Sequence, residues 1–370
     1  MSYADLQEHR YYGNDVTVPG NQADVLDGTK IASPTQAAYN RIRLGYDSID
    51  SLDVTDAAGT TTKTSANGST VTISYNYTDT TGTTPVNKTG NMNVIVYDSY
   101  DKWLEASTKT PKSYDIADGE AVLIRNTGEM VFSKTAADTL STNKASLDIS
   151  YTKTGFTNGE LRPEYYYNCT NITDTNNKLK YEKYDKDGNQ IYQDIDYVVA
   201  ANQTLTVNTE ASNVFDHGLS RDVDELIDAV QRSLDAEQKV TDLNAMKKMQ
   251  EYSSDDCQAK LEEWIAAAEK ERDYANDNLQ KLFNSYIGNC DTYLNKVNLA
   301  LTDVGSKGQS LALTKNRMSN EQETMEELKS KNEDRELSDI ILEYTAAYTA
   351  YQSSLQAASK VNQVTLLSYL

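Results

Sequence analysis

Cysteine, histidine, proline and basic charge are all scarce in this chain, and each scarcity excludes something. Its three cysteines, Cys169, Cys257 and Cys290, lie far apart in 370 residues and match no ligand spacing. So odd and sparse a set excludes a disulfide framework. It fits a cytosolic protein or one exported by a route that avoids oxidative folding. The two histidines, His9 and His217, stand far apart with no cysteine or repeated carboxylate at metal spacing, so no metal site is expected. No proline follows Pro163, which leaves the second half free to form long helices. No run of eighteen or more apolar residues exists to span a membrane. Met1-Ser-Tyr-Ala-Asp5 has neither a basic nor an apolar leader region, so no secretory signal peptide is expected. Lys and Arg number 35 against 56 Asp and Glu, a formal net charge of -21. That balance argues against nucleic acid and anionic membrane surfaces as partners. It also keeps separate copies soluble and mutually repelling until apolar surfaces meet.

Nothing in the pattern points to catalysis. Phosphate-cradling glycine loops and a Gly-x-Ser-x-Gly element are absent. Asp185-Lys-Asp-Gly-Asn189 evokes a calcium loop, but its glycine falls at the fourth position rather than the sixth, so a hairpin turn is expected there. Asn67-Gly-Ser69 and Asn168-Cys-Thr170 match glycosylation triplets, which are frequent by chance in an Asn/Thr-rich chain. No enzyme, catalytic residue, cofactor or metal is expected.

What is present divides near Phe215, and the fold class expected is α+β. A β-rich outer region (1–215) precedes a long helical rod (216–332) and a C-terminal coiled-coil-like polymerisation helix (333–370). With only 38% hydrophobic residues and a mean hydropathy of -0.66, an elongated or layered shape is expected over one large globule. Val71–Thr78 alternates apolar and polar residues, as Asn93–Tyr97 does more weakly. Two hairpins are signalled. Ala121–Arg125 turns through Asn126-Thr127-Gly128 into Glu129–Phe132, and Leu179–Tyr184 turns through Asp185–Asn189 into Gln190–Val199. Thr204–Asn208 closes the series. Tyrosine outnumbers phenylalanine 26 to 4, which suits half-exposed sheets and subunit seams.

Beyond Ser220 the period becomes helical. Ser220 is expected to cap a helix whose first turn holds Asp222, Asp224 and Glu225 as solvated charges, with Val223, Leu226, Ile227, Val230 and Leu234 buried. Ser253-Ser-Asp-Asp256 signals a second helix start, followed by an apolar stripe through Leu261, Trp264, Ile265, Ala268, Leu279, Leu282, Phe283, Tyr286 and Ile287. It continues through Tyr293, Leu294, Val297, Leu301 and Val304, with Gly288, Gly305 and Gly308 inside the helix.

The last segment carries the candidate functional surface. From Leu337, apolar or aromatic residues recur at Ile341, Tyr344, Tyr348, Tyr351, Leu355 and Ala358, alternating steps of four and three. This spacing makes one stripe of a helix that wants a partner. Leu366, Leu367 and Leu370 are expected to complete the contact at the tip. Acidic residues are confined to the start, and Gln352, Ser353, Ser354 and Gln356 give an uncharged opposite side. Chain ends are normally frayed, so one built like a bundle element implies burial by another chain.

Several segments resemble a known family. Asp303-Val-Gly-Ser-Lys307, Glu321–Leu328, Asn332–Asp339 and Tyr344–Leu370 are similar to the C-terminal region of flagellin-like axial proteins. Leu355-Gln-Ala-Ala-Ser-Lys-Val361 is nearest to the hook-associated protein 3 family of hook–filament junction proteins. Phe156–Tyr167 and Ile195–Thr209 also resemble junction-protein segments. The resemblance implies an extracellular structural subunit of the bacterial flagellum, exported by the flagellar type III route. Its partners would be flagellin and neighbouring hook-associated subunits, with self-association in a ring and an export chaperone. The family also implies long N-terminal helices that pair with the C-terminal ones. This chain opens instead with Tyr11-Tyr-Gly-Asn-Asp-Val-Thr-Val-Pro-Gly20, so that half of the rod is expected to be missing. Flagellin or another axial protein is the nearest alternative. From a different class, a surface adhesin with a helical stalk also fits the composition.

Overall fold

The computed structural model describes residues 1–80, 84–174, 176–186, 188–200, 203–216, 218–333 and 336–363. The fold is α+β, 49% helical and 22% strand, with the sheets confined to the N-terminal part and the long helices to the C-terminal part. Packing divides the chain into two units. One joins Met1–Ile191 with Ser212–Lys296, and the other joins Tyr192–Ala211 with Val297–Leu370.

The first unit begins with β1 (Gln7–Gly13), α1 (Gln22–Leu26), β2 (Thr35–Arg43), β3 (Ser51–Thr55), β4 (Thr61–Thr64), β5 (Ser69–Asp79) and β6 (Val86–Tyr97). After α2 (Tyr100–Glu105) come β7 (Ala121–Ile124), β8 (Glu129–Phe132), α3 (Lys134–Thr142), β9 (Ser146–Leu147) and β10 (Ser150–Thr152). Seven of these strands form one sheet in the order β1-β2-β8-β7-β6-β5-β9. Only β6 and β7 run parallel, and the return between them carries α2, as a parallel pair requires.

Both faces of the sheet are covered, which explains why β7 and β8 read as near-continuous apolar runs. Ala121, Leu123, Met130 and Phe132 join one core with Ile42, Val94 and the α3 residues Ala136, Ala137 and Leu140. The alternate residues Val122, Ile124 and Val131 face an aromatic cluster of Tyr11, Trp103 and Tyr114. Each fully buried side chain of this size contributes roughly 1.5–3 kcal/mol. The expected turn between the two strands forms, with Gly128 at φ +61°.

The second expected hairpin does not form as a ladder. Residues 179–181 make β12 (Leu179–Tyr181), which pairs with β11 (Cys169–Asn171) instead. Asn168 fixes the turn region by accepting from the Lys183 and Tyr184 backbone N–H groups at 2.7 and 2.8 Å. Among the described residues, a single bridge, Tyr184 to Gln190, remains of the expected pairing. The arms of that hairpin leave even their apolar residues Leu179, Tyr181, Ile191 and Ile195 exposed, so no buried face holds the register. Asn67 is likewise engaged, donating to Asp98 at 2.7 Å and accepting from the Asp98 N–H.

The unit closes with α4 (Ala211–Val214), α5 (Gly218–Lys247) and the first part of α6 (Asp255–Glu333). The second helix start stands where expected, with Ser254 accepting from the Cys257 N–H, and α6 runs unbroken through Gly288, Gly305 and Gly308. The start of α5 differs. It begins at Gly218, so Ser220 lies inside the helix, and Val223, Ile227 and Leu234 are exposed. The buried stripe is Asp222, Ala229, Ala236, Val240, Leu243 and Met246, because α5 packs through alanine and charge where it meets the sheet. Pairs from Lys247–Glu262 back to Asp216–Lys296 show the two helices antiparallel. Leu243, Leu261 and Trp264 clasp Val16 and Val25 of the N-terminal segment, with the Trp264 Nε1–H donating to the Val25 carbonyl at 3.2 Å.

In the second unit, β13 (Asp196–Ala200) and β14 (Gln203–Thr206) pair antiparallel. Lys307 of α6 donates to the Asn208 carbonyl and Arg317 to the Val199 carbonyl, both at 2.9 Å. The last element is α7 (Leu337–Gln363).

Candidate subunit-packing surface

A charge-free stretch builds the candidate surface. Between Tyr344 and Ser359 no Asp, Glu, Lys or Arg occurs, and Leu, Ala and Gln there favour a helix. Helix α7 starts where Glu336 accepts from the Asp339 N–H at 2.9 Å. Leu337, Ile341, Tyr344, Tyr348, Tyr351, Leu355 and Ala358 fall on one stripe about 100° wide. All seven are exposed. Leu337 keeps 72% of its surface, Tyr344 69%, Tyr351 62%, Ile341 54%, Leu355 51% and Tyr348 49%. The rings of Tyr344 and Tyr348 stack 6.1 Å apart at 13°. Leu366, Leu367 and Leu370 lie outside the described residues, as does His217.

Around the helix from the seam, Thr345, Thr349, Ser353 and Ser354 each donate to the carbonyl four residues back; the last three bonds measure 2.6, 2.8 and 2.8 Å. A third side is small, carrying Ala346, Ala350 and Ala357. The stripe, the hydroxyl ladder and the alanine side together leave α7 without a charged face along its middle.

In the first unit, Asp222 and Glu225, expected as solvated first-turn charges, instead join a buried charge network. Along β2 the side chains of Arg41 and Arg43 share the aromatic face of the sheet, together with Glu129 of β8 and His9 of β1. Arg41 is 2% exposed and bridges Glu129 at 2.7 Å and Glu225 of α5 at 2.6 Å. His9 Nδ1 meets Glu225 at 2.9 Å, and Tyr286 of α6 donates to Glu225 at 2.5 Å. Arg43 pairs with Asp222, which also accepts from Asn289 at 2.9 Å and from Tyr293 at 3.0 Å.

Burial opposes ionisation of Glu225, yet the hydrogen bond from His9 and the Arg41 charge hold its carboxyl well below the usual range. Burial opposes ionisation of Glu129 too, and Arg41 again holds it low. Tyr286 is pushed upward by burial and by the Glu225 carboxylate it faces. Arg221 moves the other way, lowered by burial and by neighbouring Arg43. Among the described residues it donates to the backbone carbonyls of Leu44 and Thr127. The network ties sheet to helices.

Among the described residues, no group of three or more His, Cys, Asp and Glu is placed to hold a metal. Among them, too, no helix is long and apolar enough to cross a membrane. No family model, curated protein or solved structure matches this chain.

Proposed function

We propose that this chain is a structural subunit of the bacterial flagellum, of the class that joins hook-associated protein to filament by helix–helix packing between subunits. The observation that carries the reading is the α7 stripe, apolar, charge-free and exposed on the single chain. The segments similar to junction proteins support it. On this reading the protein acts outside the cell after export by the flagellar type III route. Flagellin, neighbouring hook-associated subunits and further copies in a ring cover the stripe, and an export chaperone shields it beforehand. The β-rich part faces outward. The role is mechanical, with no catalytic step, and the acidic charge argues against nucleic acid or membrane as partners.

Magnitude shapes the mechanism. Covering what the six large stripe residues still expose yields roughly 5–11 kcal/mol gross, while association costs about 4–15 kcal/mol. A single pair of stripes therefore binds weakly, and stable incorporation needs several neighbours at once.

The test is incorporation. In a flagellated host, the native chain is expected in isolated flagella, and a variant with Tyr348→Asp and Leu355→Asp is expected to be absent from them. Normal incorporation of that variant removes the reading. Gold labelling of the native chain separates the junction class from flagellin: a short ring at the hook end supports the junction, and label along the whole length supports a filament subunit.

A further inference from the structure

Asparagine followed by glycine is a self-reactive pair, because glycine has no side chain to shield its backbone nitrogen from the asparagine amide. This chain has two such pairs, Asn67-Gly68 and Asn158-Gly159. Both lie in turns of the first unit, and the glycines have φ of +76° and +90°. Open space lies where a Cβ would stand on each. The α7 reading gives neither pair a role.

The fold treats the two pairs oppositely. Asn67 is held at both ends of its amide, with Nδ2 donating to the Asp98 carboxylate at 2.7 Å and Oδ1 accepting from the Asp98 N–H at 2.6 Å. The Gly68 N–H, whose nitrogen would attack, donates to the Val96 carbonyl at 2.9 Å. Asn158 and Gly159 are exposed. Among the described residues, neither the Asn158 amide nor the Gly159 N–H makes a hydrogen bond. Their turn is held from its shoulders instead. The Thr157 N–H donates to the Glu160 carboxylate at 2.9 Å, and the Glu160 N–H to the Thr157 carbonyl at 3.2 Å.

We infer that Asn158 is a self-modification site, converted without any enzyme to aspartate or isoaspartate, while Asn67 is protected. The Gly159 nitrogen attacks Cγ of Asn158. The N–Cγ bond forms, the bond from Cγ to Nδ2 breaks, and the glycine proton passes through solvent to the amide, which leaves as ammonia. Water then opens the cyclic imide at either carbonyl, so no oxidant or reductant takes part. In the isoaspartate product the main chain runs through the former side chain and is longer.

The structure gives that lengthening a consequence. Glu160 spans the turn and also meets Lys153 Nζ at 3.1 Å. The Lys153 side chain is 4% exposed and lies over the Tyr46 and Phe156 rings. A longer turn does not keep both Thr157–Glu160 bonds, and the new carboxylate repels Glu160. The hold on Lys153 therefore loosens as the protein ages. The inference stands apart from α7, so its failure leaves the assembly reading intact.

The experiment ages the folded full chain at mildly alkaline pH and reads both sites by peptide mapping with mass spectrometry. Isoaspartyl methyltransferase labelling scores the isoaspartate. Asn158 is expected to convert about tenfold or more faster than Asn67, whose hydrogen bonds must break before attack. In urea the two rates are expected to converge. Trypsin is expected to cleave after Lys153 faster in the aged chain than in the fresh one. Asn158→Gln, an exposed change at a side chain without hydrogen bonds, is expected to keep the fresh cleavage rate, because its longer side chain closes the ring far more slowly. Equal rates at the two sites in the folded chain, a ratio that persists in urea, or identical cleavage at Lys153 before and after ageing would each overturn the inference.

Discussion

One nitrogen of Arg41, Nη2, donates to both carboxylate oxygens of Glu225, at 2.7 and 2.6 Å, across 184 positions of sequence. Arg41 lies on β2, next to the edge strand of the sheet, and Glu225 on the helix laid against it, so this contact joins the two layers. Breaking a buried pair leaves the other charge uncompensated, which costs more than the pair itself contributes. Glu225→Gln is therefore expected to destabilise the first unit by about 3 kcal/mol. Both tryptophans, Trp103 and Trp264, belong to that unit, so their fluorescence during denaturant unfolding reports on it alone. An unchanged midpoint would show that the pair contributes nothing.

The same group sets an acid dependence. Glu225 has a carboxyl held below its ordinary value of 4.5 by His9 and Arg41 against the effect of burial. Its contribution is thus fully present above that value and is lost as pH falls through it toward the lower folded value, since the unfolded chain binds the proton first. Denaturant midpoints read by tryptophan fluorescence are expected to be flat from pH 7 to about 5 and to fall below that. In Glu225→Gln the fall should be shallower. An equal slope in the two proteins would place the acid sensitivity elsewhere.

The stripe on α7 is expected to matter for assembly and not for the fold of the first unit. Exposed substitutions away from packed features usually change stability by less than about 0.5 kcal/mol. The Tyr348→Asp, Leu355→Asp variant should therefore unfold with a native tryptophan transition while failing to incorporate. A shifted transition would mean that the stripe supports the first unit directly.

Two glycines test backbone and propensity separately. At Gly128, φ is +61° and a Cβ would overlap the carbonyl oxygen of Tyr46. Gly128→Ala is expected to cost about 2 kcal/mol or more. Gly288, inside α6, has open space where a Cβ would stand, so Gly288→Ala is expected to stabilise by about 0.5–1 kcal/mol. Opposite signs in the two tryptophan-monitored unfolding curves are the expected result.

The parts of the fold legible in the sequence are those fixed by local chemistry. Asn126-Thr-Gly128 between two apolar runs gave the β7–β8 hairpin, and Ser254 before Asp255 gave the start of α6. The absence of proline let α6 pass through three glycines. Long-range partners decided the rest. Asp222 and Glu225 read locally as first-turn charges, but Arg43 and Arg41, some 180 residues earlier, bury them. The one available signal was the alternation Arg41-Ile42-Arg43, which sets two cations on the same side of a strand beside a core residue. The exposure of Val223, Ile227 and Leu234 follows from that choice, because a helix anchored through 222 and 225 must turn those residues away. Leu179–Tyr181 found β11 because Asn168 clamps the backbone at 183 and 184, a contact that no periodicity reveals.

The hydroxyl ladder of α7 bears on what happens when that helix leaves solvent. Thr345, Thr349, Ser353 and Ser354 already have acceptors in their own backbone. Surrounding them with hydrocarbon therefore strands few donors, and the dehydration penalty that normally guards a polar helix face is small. Such a segment can be enclosed from several directions without matching hydrogen bonds from its neighbours, so lateral tolerance, rather than a single lock-and-key mate, is built into the helix itself.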